Sequence, residues 1–127
     1  MLKILPDTPA HVVAYVLDGT ATAPDIRAVT RELEAATAAG RVHLFGEIAG
    51  VGGLTLDAVA QSLRQSLRVA SRIGKVRRYA VVTDEGWIRA AATLQGALVP
   101  GLDLQVWPRA ERDDALAWAS EPLAPQP

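Results

Sequence analysis

The run Tyr79-Ala-Val-Val-Thr83 constrains this chain most, because it is rich in β-branched residues and carries no polar alternation. Such a run suits a strand buried on both faces of a parallel sheet, and the spacing predicts that it lies centrally. Directly after it come Asp84-Glu-Gly-Trp87 and a helical pattern through Trp87, Ala91, Leu94 and Leu98, stopped by Pro100-Gly101. A further strand, Leu104-Gln-Val-Trp107, leads to a last, short helix ending in Ala115-Leu-Ala-Trp118. At 127 residues the chain is one domain, long enough to bury roughly two-thirds of its unfolded surface in a single core.

The N-terminal half supplies the remaining elements. Leu2–Leu5 is a short strand stopped by Pro6, and Val12-Val-Ala-Tyr-Val-Leu17 is a longer one closed by Asp18-Gly19. The brief connection through Asp7–Pro9 predicts that the two pair antiparallel. Thr22 with Asp25 three residues on forms a capping box with the shorter acid, and Pro24 fits the first turn of a helix. Ile26, Val29, Leu33 and Ala36 give that helix one apolar face, and Gly40 is placed to end it. Val42–Ile48 is the next strand, followed by the glycine-rich turn Ala49-Gly-Val-Gly-Gly53. Thr55 and Asp57 then open a second long helix with the apolar row Leu56, Val59, Ala60, Leu63, Leu67, Ala70. The tail 121–127, with Pro122, Pro125 and Pro127, is expected to be disordered, leaving 1–120 as the domain. Strand, strand, helix and then three strand–helix units make an α/β domain, with a mainly parallel five-stranded sheet, an antiparallel N-terminal edge strand and about four helices.

Composition removes several classes of function. A formal charge of −1 gives no global attraction to nucleic acid. No cysteine is present, so disulfides, thiol catalysis and thiolate metal sites are excluded, which fits a cytoplasmic protein. Met1-Leu-Lys-Ile-Leu-Pro-Asp7 places a proline and an acid where a signal peptide needs its apolar segment, and no run approaches a membrane span. His11 and His43 sit near strand starts without a carboxylate cluster, so no metal and no cofactor is expected.

In open parallel sheets ligands gather at the carboxyl ends of the strands, here Gly19-Thr20, Glu47–Thr55, Asp84–Trp87 and Pro108-Arg109. Gly50, Val51, Gly53, Leu54 and Thr55, with Asp84 and Trp87, are the candidate ligand residues. The glycine-rich turn is either a plain strand-to-helix connection or a flap over an apolar pocket with Val51 and Leu54 at its tip. It lacks the lysine of a phosphate-binding loop and the third glycine of a dinucleotide fingerprint. Arg64, Arg68 and Arg72 recur every four residues beside the Leu63–Leu67 row, and Lys75, Arg77 and Arg78 extend them with no acid between Asp57 and Asp84. A solvated face has this look, and so has an interfacial helix that meets anionic lipid or an acidic protein. Asp84 reads as a helix N-cap, or as a partner of Glu47 if their strands are adjacent. Trp87, Trp107 and Trp118 read as apolar anchors, not as stacking platforms for single strands. No serine–histidine–acid arrangement can be proposed from spacing, so an enzyme ranks last.

The His11–Gly19 strand, Val81-Val-Thr-Asp84 followed by Trp87, the Trp107-Pro108 strand end and Asp114-Ala-Leu-Ala-Trp118 resemble the STAS-type fold of the sporulation anti-sigma-factor antagonists, and within it the SpoIIAA-like bacterial family. The resemblance covers about residues 2 to 119 and implies a non-enzymatic binding module. Where the phosphorylatable antagonists carry an Asp-Ser-Ser-Gly type of motif, this chain reads Glu47-Ile-Ala-Gly-Val-Gly-Gly-Leu-Thr55, with Thr55 the nearby hydroxyl. The family is also similar to lipid-transfer domains of the CRAL-TRIO kind, which implies a small apolar ligand, a lipid or a membrane surface as partner. A protein partner of the antagonist type, met without the usual phospho-serine, is the alternative. Leu116 and Trp118 on the last helix suggest docking on a neighbour as readily as on the chain's own sheet, hence a homodimer.

Overall fold

The structure, a computed structural model, describes residues 2–19, 22–50, 76–86, 89 and 101–123. Five strands form one sheet in chain order: β1 (Leu2–Ile4), β2 (Val12–Asp18), β3 (Val42–Gly50), β4 (Val76–Thr83) and β5 (Asp103–Trp107). β1 pairs antiparallel with β2, and every other neighbouring pair is parallel. The antiparallel edge expected from the short connection is therefore present. Two helices fall among the described residues, α1 (Ala23–Ala39) and α2 (Arg112–Ser120), the latter preceded by a 3-10 turn over Arg109–Glu111. The helices expected after Thr55 and after Trp87 lie outside the described residues. Near the second, Arg89 N–H donates to Glu85 C=O at 3.1 Å, a helical bond.

α1 begins where its capping box predicts. Thr22 Oγ1 accepts from Asp25 N–H at 3.3 Å, and Asp25 Oδ2 accepts from Thr22 N–H at 3.1 Å, so two groups that the helix leaves unpaired satisfy each other. These bonds, the Thr22 backbone first, hold the Asp25 carboxyl below its ordinary value. Leu33 is buried against the sheet and Ala36 packs beside it. Thr37, buried at the same face, donates its hydroxyl to Leu33 C=O at 2.8 Å and so brings no unpaired polar group inside. Gly40 ends the helix at φ 155°, where a side chain would be strained.

Strand alternation divides the core in two. On the α1 face lie Val13 and Leu17 of β2, Val42, Leu44 and Ile48 of β3, and Val76, Tyr79 and Val81 of β4. On the other face Val12, Ala14, Phe45, Ala80 and Val82 receive Ala115 and Ala119 of α2. β4 keeps Val76 and Tyr79 on one face, although they are three residues apart, through a bulge. Val42 pairs with Val76 and His43 with Arg78, so Arg77 is the extra residue. Residues 79–83 are all buried, as their composition predicts, but the middle place in the sheet belongs to β3 and not to β4. The β-branched run reported burial on two faces, which any interior strand of a covered sheet has. β3 also runs two residues beyond its expected end. Ala49 and Gly50 are strand residues, with Gly50 paired to Asp18.

Gly46, in the middle of β3, has a steric task. Tyr15 stands opposite it in the β2 register, and a Cβ built on Gly46 would lie 2.5 Å from the Tyr15 Cζ and Oη atoms. The missing side chain lets the Tyr15 ring cross β3, and its hydroxyl meets that of Tyr79 on β4. Burial pushes both phenols above their ordinary value of 10.0, Tyr79 the further of the two because Tyr15 adds to the effect. The side chains of β2 and β4 are thereby tied across the strand between them.

Candidate functional site

α2 begins at the carboxyl edge of the sheet and runs back to the amino edge, antiparallel to β3. Its first residue, Arg112, meets Glu47 near the end of β3, and Ala119 meets His43 near the start. Four strand residues and seven helical ones both span about 10–13 Å, so the two ends match. Ala115 and Ala119 are fully buried and their small side chains bring the helix close to Phe45, Ala80 and Val82. Of the two dockings expected for this helix, the one on its own sheet is present, with Leu116 and Trp118 partly buried at the margin of the same cluster.

At the carboxyl edge Glu47 Oε1 accepts from Arg112 Nε, while Oε2 faces Arg109 Nε at 3.6 Å. The Glu47 side chain is only 9% exposed. Asp84 Oδ1 accepts from the Arg109 backbone N–H at 3.0 Å, and Arg112 also reaches Asp113 Oδ1 at 3.3 Å. The hydrogen bond that Arg112 donates to Glu47 raises the Arg112 pKa above its usual value, against the smaller opposing effect of burial. Two arginines at a helix N-terminus oppose the helix dipole, and the carboxylates of Glu47 and Asp84 offset that charge. The guanidinium of Arg112 lies 5.8 Å from the Phe45 ring centroid, closing the apolar cluster from above.

At the amino edge two of the last carbonyls of α2 and that of Glu121 just after it meet three cationic or imidazole side chains. Arg78 Nη1 donates to Trp118 C=O at 2.9 Å, His43 Nδ1–H to Ala119 C=O at 2.8 Å and His11 Nε2–H to Glu121 C=O at 2.8 Å. A carbonyl can only accept, so each of these ring nitrogens carries the proton. Arg78 stacks over the Trp118 ring at 4.9 Å and pairs with Glu121 at 3.3 Å. The His11 and His43 rings meet edge to face with centroids 5.2 Å apart. Burial is the main cause that lowers the His43 pKa, with His11 and Arg78 adding to it, while the Ala119 carbonyl and Glu121 act the other way.

Of the candidate ligand residues, Gly50 closes β3 and Asp84 follows β4, so the adjacent strands β3 and β4 bring both to the carboxyl edge. Val51, Gly53, Leu54, Thr55 and Trp87 lie outside the described residues. So do Arg64, Arg68, Arg72 and Lys75 of the basic row. Arg77 sits in the bulge beside Gly101, and Arg78 is turned under α2 onto its own chain. Glu47 and Asp84 do not pair with each other, although their strands are neighbours, because each is engaged by the segment that opens α2. Asp84 thus joins the end of β4 to the chain after β5, in addition to its place ahead of the helical bond at Glu85. Arg112 escaped the sequence reading. Its signal was the spacing Arg112, Ala115, Ala119, which places it on the buried face of the helix. Trp107 packs at 6.3 Å from Trp118, and its buried Nε1 has no hydrogen-bond partner among the described residues.

The Glu47 lone pairs are directed at two guanidiniums and an Asp84 oxygen at a backbone N–H, which ties the turn between β5 and α2 to the ends of β3 and β4. No described helix is long and apolar enough to cross a membrane.

No curated protein matches the chain. Among solved structures, an uncharacterized protein of the DUF3478 family with a SpoIIAA-like fold, from Shewanella loihica PV-4, superimposes with a TM-score of 0.63 at 22% identity, over 94% of this chain and 92% of that one. That likeness establishes the fold. A SpoIIAA-like family model matches residues 12–120, from the first residue of β2 to the last of α2. With the monotonic strand order and the C-terminal helix strapped back across the sheet, the match shows that this chain belongs to the SpoIIAA-like family.

Proposed function

We propose that this chain is a non-enzymatic binding module that takes a small apolar ligand or an anionic membrane surface through the segment after β3 and the arginine row. The observation that carries the non-enzymatic part is the engagement of Glu47 and Asp84 by the chain's own Arg109 and Arg112. The SpoIIAA-like fold supports a regulatory binding role in the same direction. Gly50 and Asp84 flank the carboxyl edge where such a ligand would meet the Val51–Leu54 segment, and Arg64, Arg68 and Arg72 would contact anionic headgroups. A protein–protein regulatory module of the antagonist type, working through Thr55, is the alternative reading.

Co-sedimentation with phosphatidylcholine vesicles, with and without phosphatidylserine, tests it. Binding is expected only with the anionic lipid, to weaken as salt rises, and to fall at least about tenfold when Arg64, Arg68 and Arg72 are all changed to Glu. Binding that the triple reversal leaves unchanged overturns the role of the arginine row.

A further inference from the structure

We infer that His11, His43 and Arg78 form an acid-sensitive latch on the C-terminal end of α2, which releases the helix from the sheet as pH falls below the ordinary histidine range. The geometry is that of a clasp. Three side chains from the starts of β2, β3 and β4 hold three carbonyls at one helix end, and no apolar side chain larger than alanine is fully buried from α2 itself. The helix is short, nine residues, so it has little stability of its own once detached.

Among the described residues, three charged or titratable groups that face His43 bear on the direction. His11 approaches from the segment before β2, Arg78 from β4, and Glu121 from the residue after α2. His43 is 1% exposed as a residue, so a proton added to the ring at Nε2, the nitrogen opposite the one bonded to Ala119 C=O, places a charge where little water can solvate it, beside the fixed charge of Arg78. The carbonyl of Ala119 keeps its hydrogen bond in either state, and Glu121, itself paired with Arg78 at 3.3 Å, offsets the new charge in part. Burial, with the repulsion from His11 and Arg78 added to it, outweighs both, and the His43 pKa is lowered in the folded chain. A histidine with a depressed folded pKa contributes stability that is present above the unfolded value, about 6.5, and lost as pH falls toward the folded one. Detachment frees His43 to bind its proton in water, so the detached state gains population through that window. What it uncovers is the Phe45, Ala80 and Val82 face, an apolar patch.

Hydrogen exchange read by mass spectrometry on the full chain, at several pH values from 7.5 to 5 and corrected for the intrinsic exchange rate, decides it. The protection of residues 112–120 is expected to fall, by up to about tenfold per pH unit for each proton taken up, while β3 and β4 keep theirs. His43→Asn retains a donor near the Nδ1 position and His11→Gln one near Nε2, and the double variant is expected to remove the pH dependence of α2. Protection of α2 that is constant across the range overturns the latch. So does a fall shared equally by β3 and β4, which is global unfolding, or a fall that persists in the double variant. The wild-type series stands without the variants, should they fold poorly.

Discussion

Gly46→Ala is expected to destabilise the protein by about 2–3 kcal/mol, the range for forcing a methyl group into a packed core. The new Cβ would fall 2.5 Å from the Tyr15 Cζ and Oη atoms and 3.0 Å from Cε2, and the site is buried in the middle of the sheet. The clash cannot be relieved at the tip of a flexible chain, because the Tyr15 ring is held between β3 and the Tyr79 hydroxyl. Tyr15→Phe leaves the offending ring carbons in place and is expected to restore little. Tyr15→Leu removes them, so Gly46→Ala should be less harmful in a Tyr15→Leu background than in the native chain. Urea denaturation of the four chains in this cycle measures it. Additive losses would contradict the account of Gly46 as the passage for Tyr15.

Glu47→Ala is expected to lower stability by about 2 kcal/mol at neutral pH. Loss of one partner of a fully buried ion pair costs about 3–5 kcal/mol. Here the arginines left behind are 34% and 44% exposed, and water takes over part of their solvation, which places the effect below that range. Glu47→Gln keeps the shape and one acceptor for Arg112 and should lose about half as much. A double-mutant cycle with Arg112→Ala should return a coupling of about 1–2 kcal/mol. A coupling near zero would mean that the α2 N-terminus is held by Ala115 and Phe45 packing alone.

Much of the framework was legible because its signals are local. The Thr22–Asp25 capping box, the stop at Gly40 and the β-branched residues 79–83 each depend on neighbours within a few positions, and each element is present. The bulge at Arg77 was not legible. It follows from the need to keep Val76 and Tyr79 on one face, which only the pairing with β3 defines. The α2 clasp was hidden for the same kind of reason: Glu47 and Arg112 are 65 residues apart, His43 and Ala119 76, and His11 and Glu121 110. Periodicity within a helix or strand carries no information on such pairs. It marked Trp118 and Leu116 as an apolar face without saying that their own sheet covers them, and it grouped Arg78 with a surface row although its guanidinium lies over Trp118. Glu121 belonged by composition to the proline-rich tail, yet its carbonyl and carboxylate complete the clasp with His11 and Arg78. That Gly50 and Asp84 fall together at the carboxyl edge of the sheet was legible from the order of strands and helices. The engagement of Glu47 and Asp84 there required the fold.

The measurement that tests the binding-module account most directly is native mass spectrometry of the full chain purified from its own cells. The account predicts a species heavier than the bare chain by a few hundred daltons, on the order of a lipid or fatty acid, and its loss on Val51→Asp with Leu54→Asp. A spectrum that holds only the mass of the bare chain would contradict the apolar-ligand reading.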